Sequence, residues 1–341
     1  MHLVKKTLFY GLLFTLVMTV IIPVLYLTTI SFSSTIETYD YPKSVLPSLS
    51  HDLRVSWDTD GSYYVIEREN ARGDYEDLYI SSRFDRIQKY LEDYLNISKT
   101  EEQLEEDFLL AKSSGEAIEL RYYKNIFRNF TKFFSVFSGA DKALINSIQA
   151  ALLTILISMT IGGSVGYALA RTKIKGKEAI GVASLVVRMF PVVSISVPMA
   201  ILLIRYGMFD TMLGLAIIYS IPNIGLTAWI TRSIFLGINK EYEEASYVFG
   251  ATKLKTFLKI TFPLVLPAFA ASSMYAFITA WNDTAVSLLL TDRNQTLALL
   301  IYKSIGGSAS INYSAAGAVI LILPALVFTF LLKNYINKMW G

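Results

Sequence analysis

The chemistry open to this chain is bounded first by what it lacks. Two histidines, His2 and His51, and no cysteine stand among its 341 residues. A zinc site of the usual nitrogen and sulfur ligands therefore cannot be assembled, and an intramembrane metalloprotease is excluded. No G-x-x-x-x-G-K-[ST] run occurs. The fragment KIKGKE, Lys173 to Glu178, lacks the upstream glycine and the hydroxyl that a phosphate cradle needs, so the chain is not expected to hydrolyse ATP itself. The glycines of GGSVG, Gly162 to Gly166, read as a place where two helices approach closely. What remains are polar groups set in apolar runs. Arg188 lies about ten residues into one of them, hence about 15 Å deep at about 1.5 Å per residue, where a charge calls for a water-filled or protein interface. Pairing with a partner subunit and contact with a solute are both open to it. Tyr219, Asn282 and Asp283 are candidates to line a pathway, and Asn223, beside Pro222, is placed to satisfy a backbone carbonyl freed by the proline.

The elements that hold these residues follow from composition. With 53% hydrophobic and 17% charged residues, the chain is too apolar for a soluble globular protein. A hydrocarbon core about 30 Å thick takes about 20 apolar residues per helix, and six runs suit: Thr7 to Ile30, Ala143 to Ala170, Ala179 to Ile204, Thr211 to Phe235, Leu264 to Leu290 and Tyr313 to Leu332. The first exceeds a signal-peptide core and is followed by no small-x-small site in YLTTISFSS, so it is read as a span. Asp283 is the only acid inside the six. Lysine and arginine concentrate on alternate sides: Lys5, Lys6, Arg171, Lys173, Lys175, Lys177, Arg232, Lys240, Lys253, Lys255, Lys259, Lys333 and Lys338 on one, and Arg205, Arg293 and Lys303 on the other. The richer side is cytoplasmic, which puts both termini there. The net charge of +3 serves topology, and no basic stripe with interleaved aromatics points to nucleic acid.

Three domains are expected: residues 1–30 as tail and first span, an extracytoplasmic insert over 31–142, and a five-helix core over 143–341 with a cytoplasmic loop at 237–263. The insert holds 21 of the 28 acidic residues against 14 basic ones, a net of −7. LRVSW, DTDG and YYVIERE read as strand, turn and strand. RFDRIQKYLEDYL and EEQLEEDFLLAK have helical apolar spacing, which makes a small α+β domain. RYYKNIFRNFTKFFSVF is expected to run along the outer membrane face, with its aromatics at headgroup depth.

The cytoplasmic loop reads KEYEEASYVFGATKLKTFLKITFP, Lys240 to Pro263. Glu241, Glu243 and Glu244 fall in the first turn of a short helix behind Asn239 as cap, where negative charge suits the helix dipole. Gly250 ends that helix. A second begins near Thr252, with Leu254, Phe257, Leu258 and Thr261 on one stripe and Lys253, Lys255 and Lys259 off it, and Pro263 opens the next span. Two short amphipathic helices broken at a glycine must lay their apolar faces on something. From the pattern alone, that is either the lipid surface or another protein.

Here the sequence resembles the permease subunits of ATP-binding-cassette importers, whose loop reads E-A-A, three residues, G, nine residues, I-x-L-P. This chain has Glu244, Ala245 and Ser246, then Gly250, then Ile260, Phe262 and Pro263, with both spacings kept; Ser246 and Phe262 depart from the pattern. MFPVVSISVPM (189–199), WND (281–283), SLLL (287–290), QTLAL (295–299) and AAGAVILILPALVFTFLL (315–332) resemble the second permease of maltose-type carbohydrate importers. The resemblance implies an all-α, six-span, type I importer permease fold with the α+β insert added. It implies a coupling helix, made by Glu243, Glu244, Ala245, Ser246, Gly250, Ile260 and Pro263, that docks on an ATPase subunit. It also implies no catalytic residue and no cofactor in this chain, with ATP and magnesium held by the ATPase dimer, and as partners a second permease and an extracytoplasmic solute-binding protein. The insert is longer than is usual in that subgroup; docking the binding protein and packing on the partner permease are both open to it.

Two other readings compete. An ion-coupled secondary transporter needs intramembrane carboxylates as relays, and Asp283 alone is thin for that. An assembly protein merely anchored by its spans leaves the cytoplasmic loop unexplained.

Overall fold

The computed structural model describes residues 2–41, 44–70, 73–307 and 310–337, so Lys338 lies outside the described residues. The chain divides into two compact units, Met1–Ser138 with Gly307–Ile320, and Gly139–Gly306 with Leu321–Gly341.

The first unit opens with α1 (His2–Phe32), apolar on every side, and α2 (Thr35–Tyr39). A capping box starts α2: the Ser34 hydroxyl accepts from the Glu37 amide at 3.4 Å, and the Glu37 carboxylate accepts from the Ser34 amide at 2.6 Å. Strands β1 (Ser50–Asp58), β2 (Tyr63–Glu69) and β3 (Tyr75–Ser81), helices α3 (Phe84–Leu95) and α4 (Glu101–Ser114), and strand β4 (Ile118–Tyr123) follow. The sheet is antiparallel throughout, in the order β3-β2-β1-β4. Period-two alternation turns Leu53, Val55, Tyr64, Ile66 and Tyr122 onto one face. There they meet Ile87, Leu91 and Leu95 of α3 and Leu104, Phe108 and Ala111 of α4, all buried. The α+β expectation is met, with β3 and β4 added as the sheet's two edges.

Two asparagines fasten the end of α1 within this unit. Asn129, on α5 (Arg128–Val136), donates to the carbonyls of Ser31 at 2.9 Å and Ser33 at 2.8 Å. Asn312, at the start of the last long helix (Ile311–Asn337), donates to Ile30 and Ser33 at 3.1 and 2.9 Å. Helix C-terminal carbonyls have no partner of their own, and these amides supply one.

The second unit is helical: α6 (Ala140–Arg171), α7 (Lys177–Val187), α8 (Val192–Arg205), α9 (Met212–Gly237), α10 (Glu241–Val248), α11 (Lys253–Thr256), α12 (Phe262–Asn282), α13 (Ala285–Leu290), α14 (Leu297–Ile305) and the remainder of α15 (Ile311–Asn337). Glycines set the α6 to α9 packing, as GGSVG suggests. A Cβ on Gly162 would lie 2.7 Å from the Ile224 carbonyl oxygen, and one on Gly166 2.0 Å from the Thr231 hydroxyl. Among the described residues five helices are long and apolar enough to cross a membrane, and α7 with α8 makes a sixth if the bent pair counts as one span.

Three expectations need correction. The span Ala179 to Ile204 is not one helix but α7 and α8, at 91° to each other. Pro191 has no amide hydrogen to continue α7, and the residue before a proline is biased away from the helical region. The span Leu264 to Leu290 stops at Asn282, where Asp283 is extended (φ −75°, ψ 131°), and α13 is separate. The second cytoplasmic helix is not a free short one: α11, a π-turn over Phe257–Thr261 and α12 run on as a single helix, Lys253–Asn282. The wider turn directly precedes Pro263, whose missing N–H breaks the regular ladder there.

Candidate functional site

The cytoplasmic segment is built around two closures. Asn239 accepts from the Glu241 amide at 3.1 Å, although the N-cap position itself is Lys240, one residue later than expected. At the other end Gly250 has φ +80° and open space around its Cα, the left-handed conformation that a residue with a Cβ disfavours. Across that turn the Ser246 hydroxyl meets the Thr256 hydroxyl at 2.6 Å. The residue that departs from E-A-A thus pins α10 to α11.

The acidic residues divide by direction. Glu244 is exposed, whereas Glu243 is 7% exposed and accepts from Arg171 Nε at 2.8 Å and Thr261 Oγ1 at 3.3 Å. Of the seven residues read as coupling positions, Glu243 and Ser246 face inward and have no surface for a partner; Glu244, Ala245, Gly250 and Pro263 are open, and Ile260 is half-buried. The expected apolar stripe also divides. Thr261 is buried and Phe257 packs on the Tyr167 ring at 5.2 Å between centroids, while Leu254 and Leu258 are exposed. With Val248 at 85% and Phe249 at 90% exposure, they leave bare apolar surface on both sides of Gly250.

The polar residues of the spans are placed as follows. Tyr219 is fully buried and donates to Asp283 at 3.0 Å. The same carboxylate oxygen accepts from the amides of Val286 and Ser287 at 2.9 and 3.3 Å. Those bonds make Asp283 a cap for α13, so this pair braces the helix break. Asn282 is exposed. Arg188 sits at the C-cap of α7, at the break before α8, exposed, its guanidinium 5.1 Å from the Tyr275 ring centroid. Asn223 donates to the Tyr219 carbonyl at 2.8 Å. The carbonyl freed by Pro222 belongs to Ile218, so the amide serves its neighbour instead.

Two nodes have no sequence signal of their own. Arg171 reads as one more cytoplasmic charge, yet it also donates to the carbonyls of Phe235 at 2.7 Å and Ile238 at 3.2 Å. Asp210, at φ +57°, accepts from the amides of Asp292, Arg293 and Asn294 at 2.9, 3.3 and 3.0 Å, knitting two loops. Its place between Gly207 and Thr211 marks a turn, but not the turn's partner.

The family described as the binding-protein-dependent transport system inner membrane component matches residues 158–341, more than half of the chain. The chain belongs to this family. The match takes in every residue of the cytoplasmic segment, as well as Arg188, Tyr219, Asn282 and Asp283 of this permease, and leaves out the insert. Similar proteins include the trehalose transport system permease protein SugB of Mycobacterium tuberculosis, 32% identical over 219 residues, which are 63% of this chain and 77% of that one. The trehalose/maltose transport system permease protein MalG of Thermococcus litoralis is 28% identical over 56% of this chain and 70% of its own. Among solved structures, a chain of a bacterial ABC transporter involved in the import of the acidic polysaccharide alginate shares the fold, with a TM-score of 0.61 at 15% identity. That alignment covers 97% of this permease and 96% of the other chain, and so must take in the insert.

Proposed function

We propose that this chain is the membrane-spanning subunit of an ATP-driven importer of a sugar or oligosaccharide. It forms half of the translocation pathway beside a second permease, with both termini in the cytoplasm and lipid around its apolar helices. A separate ATPase dimer holds ATP and magnesium and does the hydrolysis, and an extracytoplasmic binding protein delivers the solute.

The cytoplasmic segment carries this reading. Exposed Val248 and Phe249 beside a left-handed Gly250, with exposed Leu254 and Leu258 across the turn, form a compact apolar knob. Bare apolar surface on a short, rigidly closed loop suits a protein cleft. Closure of the ATPase dimer moves the knob, and the continuous helix Lys253–Asn282 carries the motion into the spans as alternating access. The solute class rests on relatives whose names give trehalose, maltose and maltodextrin as what they transport. Ion coupling is disfavoured because Asp283, the acid it needs, is committed to Tyr219 and two backbone amides.

The binding protein is proposed to dock on the open face of the insert sheet. Alternation opposite the core turns Asp52, Glu69, Asp77 and Glu119 outward, all exposed, and such a surface favours a basic patch on its partner. Affinity purification of the tagged chain from its own membranes tests the function: an ATP-binding-cassette ATPase and a retained saccharide are expected in the eluate by mass spectrometry. A chain that purifies without an ATPase and takes up solute on an ion gradient alone overturns it.

A further inference from the structure

We infer that Arg171 is a positioning residue of the coupling segment, the joint through which displacement of α10 reaches the cytoplasmic ends of α6 and α9. This rests on the coupling role proposed for residues 237–263. Arg171 is the last residue of α6, and its neighbours Lys173 and Lys175 are exposed, as charges that only set topology are expected to be. Its own side chain is 9% exposed, as is that of Glu243.

Each arm of the guanidinium has a separate duty. Nε donates to Glu243 Oε1 in the first turn of α10, Nη1 to the Phe235 carbonyl in the last turn of α9, and Nη2 to the Ile238 carbonyl just beyond it. The Phe235 and Ile238 carbonyls lie at the end of a helix, where acceptors lack partners and the dipole attracts a cation. Glu243 passes the connection on, since the same Oε1 accepts from Thr261 in the π-turn that leads into α12. One planar, forked cation thus ties α6, α9, α10 and the root of α12 together. A lysine ammonium carries the charge but not the fork. Because Glu243 and Thr261 are buried and the Arg171 side chain is only 9% exposed, α10 cannot shift without either dragging these helix ends or breaking a largely desolvated charge pair.

The test uses the complete importer, purified with its ATPase and binding protein and reconstituted in proteoliposomes, and measures ATP hydrolysed per solute molecule imported. In Arg171→Met, import per assembled complex should fall at least tenfold, and the ATP spent per solute should rise, while ATPase copurification persists because Val248, Phe249 and Glu244 remain open. Arg171→Lys should assemble and give an intermediate ratio. It is the variant to read if Arg171→Met does not assemble. Arg171→Met and Glu243→Gln should not multiply in effect when combined, since either alone breaks the joint. A purely structural role predicts lower yield or Tm with an unchanged ratio in the complexes that form, and that result overturns the inference. Gly250→Val serves as reference. If it loses import while the Arg171 variants keep a normal ratio, only the Arg171 inference fails; if it imports normally, the coupling reading itself fails.

Discussion

Asp283 accepts a hydrogen bond from Tyr219, and the same carboxylate oxygen caps α13. An asparagine keeps an oxygen acceptor for the amides of Val286 and Ser287 while abolishing the charge. Asp283→Asn should therefore keep at least half of wild-type uptake, and uptake should be insensitive to a collapsed proton gradient; loss of transport in Asp283→Asn restored by no ATP supply would point to proton coupling instead. His51 gives a second prediction of this kind. It is buried in the insert, its Nε2 meets no hydrogen-bond partner among the described residues, and burial pushes its imidazole down to about 4, with Lys124 and Arg68 adding to the effect and Glu37 opposing it. The folded state then stays neutral while the unfolded chain takes up a proton below its ordinary value of 6.5. Stability is full above that value and is lost as pH falls from 6.5 towards 4, with a limiting slope of about 1.4 kcal/mol per pH unit. Protection factors of residues 50–58, each taken against the intrinsic exchange rate at its own pH, should fall as pH drops through that window in the wild-type chain and stay flatter in His51→Phe.

At the scale of elements, the α6 to α9 seam depends on closeness. Gly166→Val places a branched side chain where a Cβ alone would meet the Thr231 hydroxyl at 2.0 Å and the Ala228 carbonyl at 2.8 Å, and overpacking of this sort costs about 1–3 kcal/mol or more. Folded yield in detergent should fall severalfold, measured by size-exclusion profile, whereas Gly176→Ala, with nothing near its Cα, should fall only by the strain of its positive φ. Four of the six spans, the insert's class, the glycine seam and the left-handed Gly250 were legible because each rests on local pattern: apolar length, alternation, small residues, one punctuating glycine. What was not legible depends on contact. The bend at Arg188 was hidden inside an unbroken apolar run, and Pro191 alone does not say whether a helix kinks or stops. β3 and β4 are edge strands whose alternation is diluted by charge. Arg171 and Asp210 look like ordinary loop charges until Phe235, Ile238, Glu243 and the amides of 292–294 are brought to them.

For the molecule as a whole, the insert has its own core, and the fold alignment to a solved importer chain runs through it. β4 closes the sheet against β1; excising only residues 47–116 would strand it, and neutralising the open face is the cleaner probe. Glu69→Gln, Asp77→Asn and Glu119→Gln together should weaken binding-protein association severalfold at low salt and by less as ionic strength rises. Unchanged affinity with reduced complex yield would instead assign the insert to stabilising the partner permease.

In the proposed mechanism a rigid apolar knob at Gly250 links ATP hydrolysis in a separate subunit to movement of these helices. A β-branched residue at φ +80° costs about 1–3 kcal/mol and misdirects Val248 and Phe249 without touching the spans. The most direct measurement is ATP-driven uptake of labelled oligosaccharide into proteoliposomes containing the complete importer, wild type against Gly250→Val, at matched amounts of inserted chain. Uptake in Gly250→Val is predicted to fall to below about a tenth of wild type, with solute-stimulated ATP hydrolysis lost as well. Equal uptake at equal insertion would contradict the coupling role of this segment and the mechanism built on it.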